Sequence, residues 1–172
     1  MKKFELTAES KINIFGKKLF RIKALISFGD VKEGETGGWV EKEENLEQSS
    51  GNAWVYGDAE VYGNAEVYGN ARVYGNARVY GDARVSGDAM VSGNAEVYGN
   101  ADYTTIRGFG TQFRATTFFR CKDKQIRVSC GCFFGTISEF REQVKNTRKG
   151  KIAEEYLMIA DLMEKHFAEE AK

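Results

Sequence analysis

Proline is absent from the 172 residues, histidine occurs once, at His166, and cysteine three times, at Cys121, Cys130 and Cys132. The missing proline points to no function. The scarcity of histidine and cysteine is more informative, because a Cys-x-Cys pair with distant single partners lacks the paired C-x-x-C spacing of common zinc sites. Reduced structural thiols are therefore expected, with a disulfide between Cys121 and one of the other two as the lesser alternative, and no metal. No excess of one charge exists either: lysine plus arginine number 25 and aspartate plus glutamate 25, which leaves no general electrostatic footprint for nucleic acid. No apolar stretch is long enough to span a membrane, and the opening MKKFELTAES lacks the apolar run of a signal peptide, so a cytosolic protein is expected. The phosphate-cradling motifs G-x-G-x-x-G and the P-loop are missing, and no cofactor is expected.

What the chain has is a six-residue unit, G-[ND]-A-x-V-[YS], running without a slip from Gly51 to Ala101. Alanine and valine sit two residues apart and point one way; the variable residue and the tyrosine or serine point the other. Glycine followed by Asn or Asp supplies a bend. Each hexad is thus a very short strand and a corner. Since one hexad cannot bury its own valine, the chain must coil and stack.

This spacing of small and aliphatic residues resembles the hexapeptide repeat of left-handed parallel β-helices, in which three hexads make a triangular turn. The resemblance implies that residues eighteen apart stack at about 4.8 Å, the ordinary strand spacing. Three outward columns follow: Glu60, Arg78, Glu96; then Glu66, Arg84, Asp102; and Trp54, Arg72, Met90, flanked by Tyr56, Tyr74 and Ser92. The charged columns have the alternating signs of ordinary solvated ladders, and tyrosine suits an outer strand position by propensity alone. The third face is different. Its tryptophan, arginine and tyrosines have the composition of an interface hot spot, and Arg72, Arg78 and Arg84 form a basic belt between acidic layers. The candidate binding residues are accordingly Trp54, Tyr56, Arg72, Tyr74, Arg78, Tyr80, Arg84 and Met90, with a homo-oligomer, a trimer by resemblance, closing a cleft around a small anionic ligand or a host protein.

The ends depart from the repeat, as solenoid caps do. Residues 1–50 read as an N-terminal cap, with a hairpin of Lys11 to Phe15 and Lys18 to Lys23 around Gly16-Lys17. Val40 and Leu46 read as two imperfect first hexads, with Trp39 outward and a three-residue insertion around Gln48 to Ser50. Residues 51–110 form the solenoid. Residues 111–172 read as an α+β module: a hairpin of Thr116 to Cys121 and Gln125 to Cys130, then a helix opened by the capping box Thr136-x-x-Glu139. A second helix spans about Lys151 to Ala168, with Ile152, Tyr156, Ile159, Met163 and Phe167 on one stripe.

Hexapeptide-repeat acyltransferases use a histidine base near the coils, and related carbonic anhydrases bind zinc through coil histidines. The repeat here has no histidine, and His166 falls in the helical tail at an expected surface position. No catalytic residue carries over. The order of "LFRIKALISFGDVKEGETGGWVEKEENL", the tandem hexads and "VSCGCFFGTISEFREQV" is similar to a group of small phage and prophage proteins of bacteria. That resemblance implies a phage-encoded accessory protein in the host cytoplasm. The expected function is binding without catalysis, inhibiting or sequestering a host factor, a defence component or a nucleotide-like signal. The alternatives are a structural or assembly solenoid and a divergent acyltransferase.

Overall fold

A computed structural model describes residues 1–168. It begins with strands β1 (Phe4–Ile12), β2 (Lys18–Ala24) and β3 (Thr36–Val40), followed by eight two-residue strands: β4 (Trp54–Val55), β5 (Glu60–Val61), β6 (Glu66–Val67), β7 (Arg72–Val73), β8 (Arg78–Val79), β9 (Arg84–Val85), β10 (Met90–Val91) and β11 (Glu96–Val97). These stack in parallel at an offset of three hexads, as β4-β7-β10, β5-β8-β11 and β6-β9. The result is a parallel β-solenoid of about three coils. Every valine from Val55 to Val97 and every alanine from Ala53 to Ala95 is buried, because the corner glycines from Gly51 to Gly93 take φ values of +57° to +72°, which turn the chain without displacing the inward pair.

The imperfect first hexads join this core. Val40 pairs with Val61 and Leu46 with Val67, offsets of 21 residues where the repeat has 18, and the three extra residues loop out before Gly51. The N-terminal hairpin forms as well, although its first strand begins at Phe4 and its turn spans Asn13 to Lys17. Trp39 lies on the outward row beside Glu60, yet it is covered, with Lys11 and Arg21 over its ring.

The stack has a direction. Between coils the bonds run both ways but unequally: Trp54 N–H donates forward to Ala71 and Tyr56 N–H to Val73, while the parallel pairing of β4 with β7 adds bonds in the return sense. The first coil therefore presents more bare carbonyls than N–H groups and the last coil more bare N–H groups, an imbalance akin to that of helix ends. Side chains resolve it in opposite senses. At the first coil mainly donors arrive: Lys3 Nζ to Ala53, Arg21 to Gly57, and the Asn45 amide to Gly63 and Ala65, with the Glu41 carboxylate accepting from Gly63 N–H. At the last coil mainly acceptors arrive: Asn100 Oδ1 for Arg84 N–H, the Tyr103 hydroxyl for Ser86, Thr117 Oγ1 for Met90, and an Asp102 oxygen for Tyr98 and Gly99, although the Tyr103 hydroxyl also donates to the Arg84 carbonyl.

Asp102 thus corrects one expected column. The repeat ends at Gly99, which is extended rather than left-handed, and a 3-10 turn at Asn100–Asp102 carries Asp102 away from Arg84. Its carboxylate pairs instead with Arg120 at 3.4 Å.

Lys3 is a buried cation, 3% exposed, above the Phe28 ring. Burial pushes its pKa down to about 8, with Glu47 opposing. The unfolded chain keeps this proton to about pH 10.4, so between these values the unfolded state binds more protons and stability rises with pH. Below pH 8 the protein carries the whole penalty. Relative to Lys3→Met, the parent should gain on the order of 3 kcal/mol across this window, read by urea melts at pH 7.5 and 10.5. Parallel pH profiles would show that Lys3 is not a buried, charge-strained group.

Beyond the solenoid, β12 (Tyr103–Ile106), β13 (Thr116–Arg120), β14 (Ile126–Cys130) and β15 (Phe133–Thr136) form one antiparallel sheet in sequence order, two strands more than the hairpin expected. Phe119 on β13 closes the open end of the valine core. Helices α1 (Ile137–Thr147) and α2 (Gly150–Phe167) pack on the sheet through Phe118, Phe140, Val144, Tyr156, Ile159 and Met163. The Thr136–Glu139 capping box is formed in both directions. Neither helix is long and apolar enough to cross a membrane.

Candidate anion-binding groove

Of the eight residues singled out in the repeat, Trp54 is corrected outright. It is fully buried beneath the N-terminal cap, with Phe4 and Phe28 edge-on to its ring at 6.1 and 5.4 Å. A tryptophan in that position offers nothing to a partner. Its register is nevertheless the expected one, beside Arg72 and Met90; what covers it comes from a segment without periodicity.

The arginine belt divides. Arg78 lies on the sheet that continues into the cap, mostly covered, between Glu60 at 3.7 Å and Glu96 at 3.4 Å. Its neighbour Tyr80 stacks on Tyr62 at 5.2 Å and meets Tyr98 edge-on at 5.3 Å. Both are parts of closed ladders. Tyr56 is also engaged: its hydroxyl donates to Asp30, and burial, with that carboxylate, pushes its pKa up to about 12. The phenol stays a donor throughout the ordinary pH range.

Arg72, Arg84 and Met90 stand where the solenoid meets the C-terminal module. Two clefts run along this junction. The first, of about 530 Å³, lies between the β9 corner and β12, lined by Tyr68, Arg84, Asp88, Asn100, Tyr103 and Arg107. The second, of about 320 Å³, is lined by Arg72, Asp88, Met90 and Arg114 among others. Asp88 belongs to both and is the one carboxylate lining either. It ends a corner ladder in which the Asn52 amide donates to Asn70 at 3.2 Å and the Asn70 amide to Asp88 at 3.1 Å, each residue eighteen beyond the last. Its second oxygen takes Arg107. Tyr74 lines a shallower cleft alongside, with Ser92 and Cys132.

Each of these two adjoining clefts therefore has two guanidinium groups, Arg84 with Arg107 and Arg72 with Arg114, and Asp88 is the lining carboxylate of both. Arg84 reaches Glu66 at 3.7 Å and Arg72 reaches Asp30 at 3.1 Å, while the side chains of Arg84 and Arg107 remain 61% and 67% exposed. Exposed guanidinium pairs of this kind are weak and can exchange a carboxylate for a better-fitting anion. Tyr68 and Tyr103 supply rings beside them. Arg107 and Arg114 were not legible as site residues, because both follow the last hexad in a segment whose only signal is the loss of the repeat.

His166 is exposed near the end of α2, its ring edge-on to Phe167. The thiols are free: Cys121 is buried, Cys130 half-buried and Cys132 exposed.

In sequence the chain is similar to a family described as YdcK beta solenoid repeat, matched at residues 65–81, 71–89 and 83–99. These overlapping matches fall within the coils, and they agree with the solenoid. No curated protein matches the chain.

Proposed function

We propose that the protein binds an anionic ligand in the junction groove and holds it without turnover. The observation that carries this reading is the meeting of Arg72, Arg84, Arg107 and Arg114 around Asp88, in linked clefts with tyrosine rings at one end. A phosphorylated ligand with a planar base fits such a surface: guanidinium groups take the phosphates in bidentate fashion and a ring takes the base. The combined volume suits a nucleotide-sized molecule. With the resemblances drawn from the sequence, the reading is of a left-handed hexapeptide coil in a phage-encoded accessory protein that sequesters a nucleotide-like signal, or blocks a host factor, in the host cytoplasm. Homo-oligomeric assembly, as a trimer, belongs to the same reading, with light scattering as its measure; Trp54 takes no part in it.

Equilibrium dialysis against a panel of nucleoside mono- and diphosphates tests the proposal. The Arg84→Glu, Arg107→Glu double variant should bind at least about tenfold more weakly than the parent, the effect of one lost charge-assisted contact. Its melting temperature should stay within a few degrees, because both side chains are largely exposed. Equal binding by the folded variant would remove the groove as the site. Conversion of a bound nucleotide by the parent would overturn binding without turnover, and a parent that binds none of the panel and only self-associates would favour the assembly role.

A further inference from the structure

The chain has ten arginines, and eight of them lie within 4.0 Å of a carboxylate: Arg21, Arg72, Arg78, Arg84, Arg107, Arg120, Arg127 and Arg141. Among the described residues, Arg114 and Arg148 have no such partner. Both line the same cleft. It is enclosed by β14, α1 and α2, measures about 180 Å³, and has Cys130, Cys132, Thr147 and Tyr156 on its walls and no carboxylate.

Both arginine side chains are exposed, so water screens their mutual repulsion, and an anion bound between them would be attracted by both. Part of Arg148 is explained by α1: it caps the helix C-terminus, where a cation is favourable, and its Nη1 donates to the Thr147 carbonyl at 3.3 Å. Arg114 lines the second junction cleft as well as this one. It follows Phe113, whose φ of +49° is a left-handed conformation that a phenylalanine rarely adopts. On its other side lies Gly131, also left-handed, where an added Cβ would stand 2.6 Å from Arg114 Nη1. The left-handed φ of Gly131 is that of the two-residue turn between β14 and β15, and the Arg114 guanidinium lies against this turn. Both arginines also bear on the Tyr156 hydroxyl, which donates to the Phe109 carbonyl at 3.2 Å; each favours ionisation of the phenol, against the burial that raises its pKa.

We propose that this cleft is a site for a small tetrahedral oxyanion of the phosphate class, clamped between Arg114 and Arg148. The volume is below the roughly 300–1,000 Å³ of sites for larger ligands, and two guanidinium forks match a tetrahedral oxyanion with up to four parallel donors. Arg114 also lines the second junction cleft, whereas Arg148 lines neither, so Arg148 is the residue that separates this site from the junction groove.

Calorimetric titration at constant ionic strength, in the Arg84→Glu, Arg107→Glu background, is the test, with inorganic phosphate in one arm and glycerol phosphate in the other. Saturable binding of one phosphate per chain is expected, weakened about tenfold or more by Arg148→Gln and by Arg114→Gln. Tighter binding of the ion would identify free phosphate, and tighter binding of the ester a phosphoryl group on a small molecule. Each glutamine variant is first checked for an unchanged melting transition, and Arg148→Lys, which keeps the charge but loses the fork, should fall between parent and Arg148→Gln. Absence of saturable binding in both arms, or parent-like binding by folded Arg148→Gln whatever Arg114→Gln does, would overturn the site.

Discussion

Val79→Asp is expected to leave no cooperative unfolding transition, with the far-ultraviolet signal of the coils lost at all temperatures. Val79 is fully buried on β8, stacked between Val61 and Val97 in the middle coil. A carboxylate there meets only alanine and valine side chains, and an unpaired buried charge costs several kcal/mol, about 3–5 or more. A domain of this size has a total stability of about 5–15 kcal/mol. The loss spreads beyond one site, because each coil borrows its core from its neighbours. Two companion variants make the result specific. Val79→Ala removes only methyl groups and should fold with a lowered melting temperature, and Met90→Asp, on the outward side of β10, should fold with little change. A cooperative, parent-like transition for Val79→Asp would reverse the inward assignment of the valines.

The second large effect is at Trp54. Truncation to alanine opens a cavity between the first coil and the cap, where Phe4, Phe28 and the Gly37 backbone now touch the indole; a Cβ on Gly37 would come within 2.6 Å of it. Large-to-small changes at buried tryptophan cost about 3–5 kcal/mol, which for a chain of this length lowers the melting temperature by roughly 10–15 °C. Trp54→Phe should lose less, since it keeps a ring and removes an indole N–H that has no hydrogen-bond partner. The oligomeric state should be the same in all folded variants. A Trp54→Ala protein that melts with the parent but changes its oligomeric state would return the residue to the surface.

Periodicity decided what could be read in advance. The valine and alanine positions, the eighteen-residue offset and the three extra residues before Gly51 all follow from one repeated spacing, and each stands in the structure as expected. Trp54 failed because periodicity assigns a side, not exposure. It points outward from the coil, as its place in the hexad requires, and Phe4 and Phe28 arrive over it from a segment with no repeat to extrapolate. The same reason hid β12 and β15, short strands whose pairing depends on β13 and β14 being in place. For the groove, Arg72 and Arg84 were legible by their place in the coil. Their partners Arg107 and Arg114 were not, because only the tertiary fold returns that chain segment to the corner at Asp88.

The repeating ladder, closed mainly by donors at one end and mainly by acceptors at the other, makes the two ends independent of the number of hexads between them. Any last coil offers the same N–H groups to Asn100, Tyr103 and Thr117, whatever lies beneath it. Adding a hexad would swing the C-terminal module by a third of a revolution about the solenoid axis and raise it by about 1.6 Å, a third of the strand spacing. Three added hexads would bring it back to its starting bearing, one storey higher. The repeat number is thus an angular setting between two fixed terminal fittings, adjustable in steps that leave every buried valine where it is.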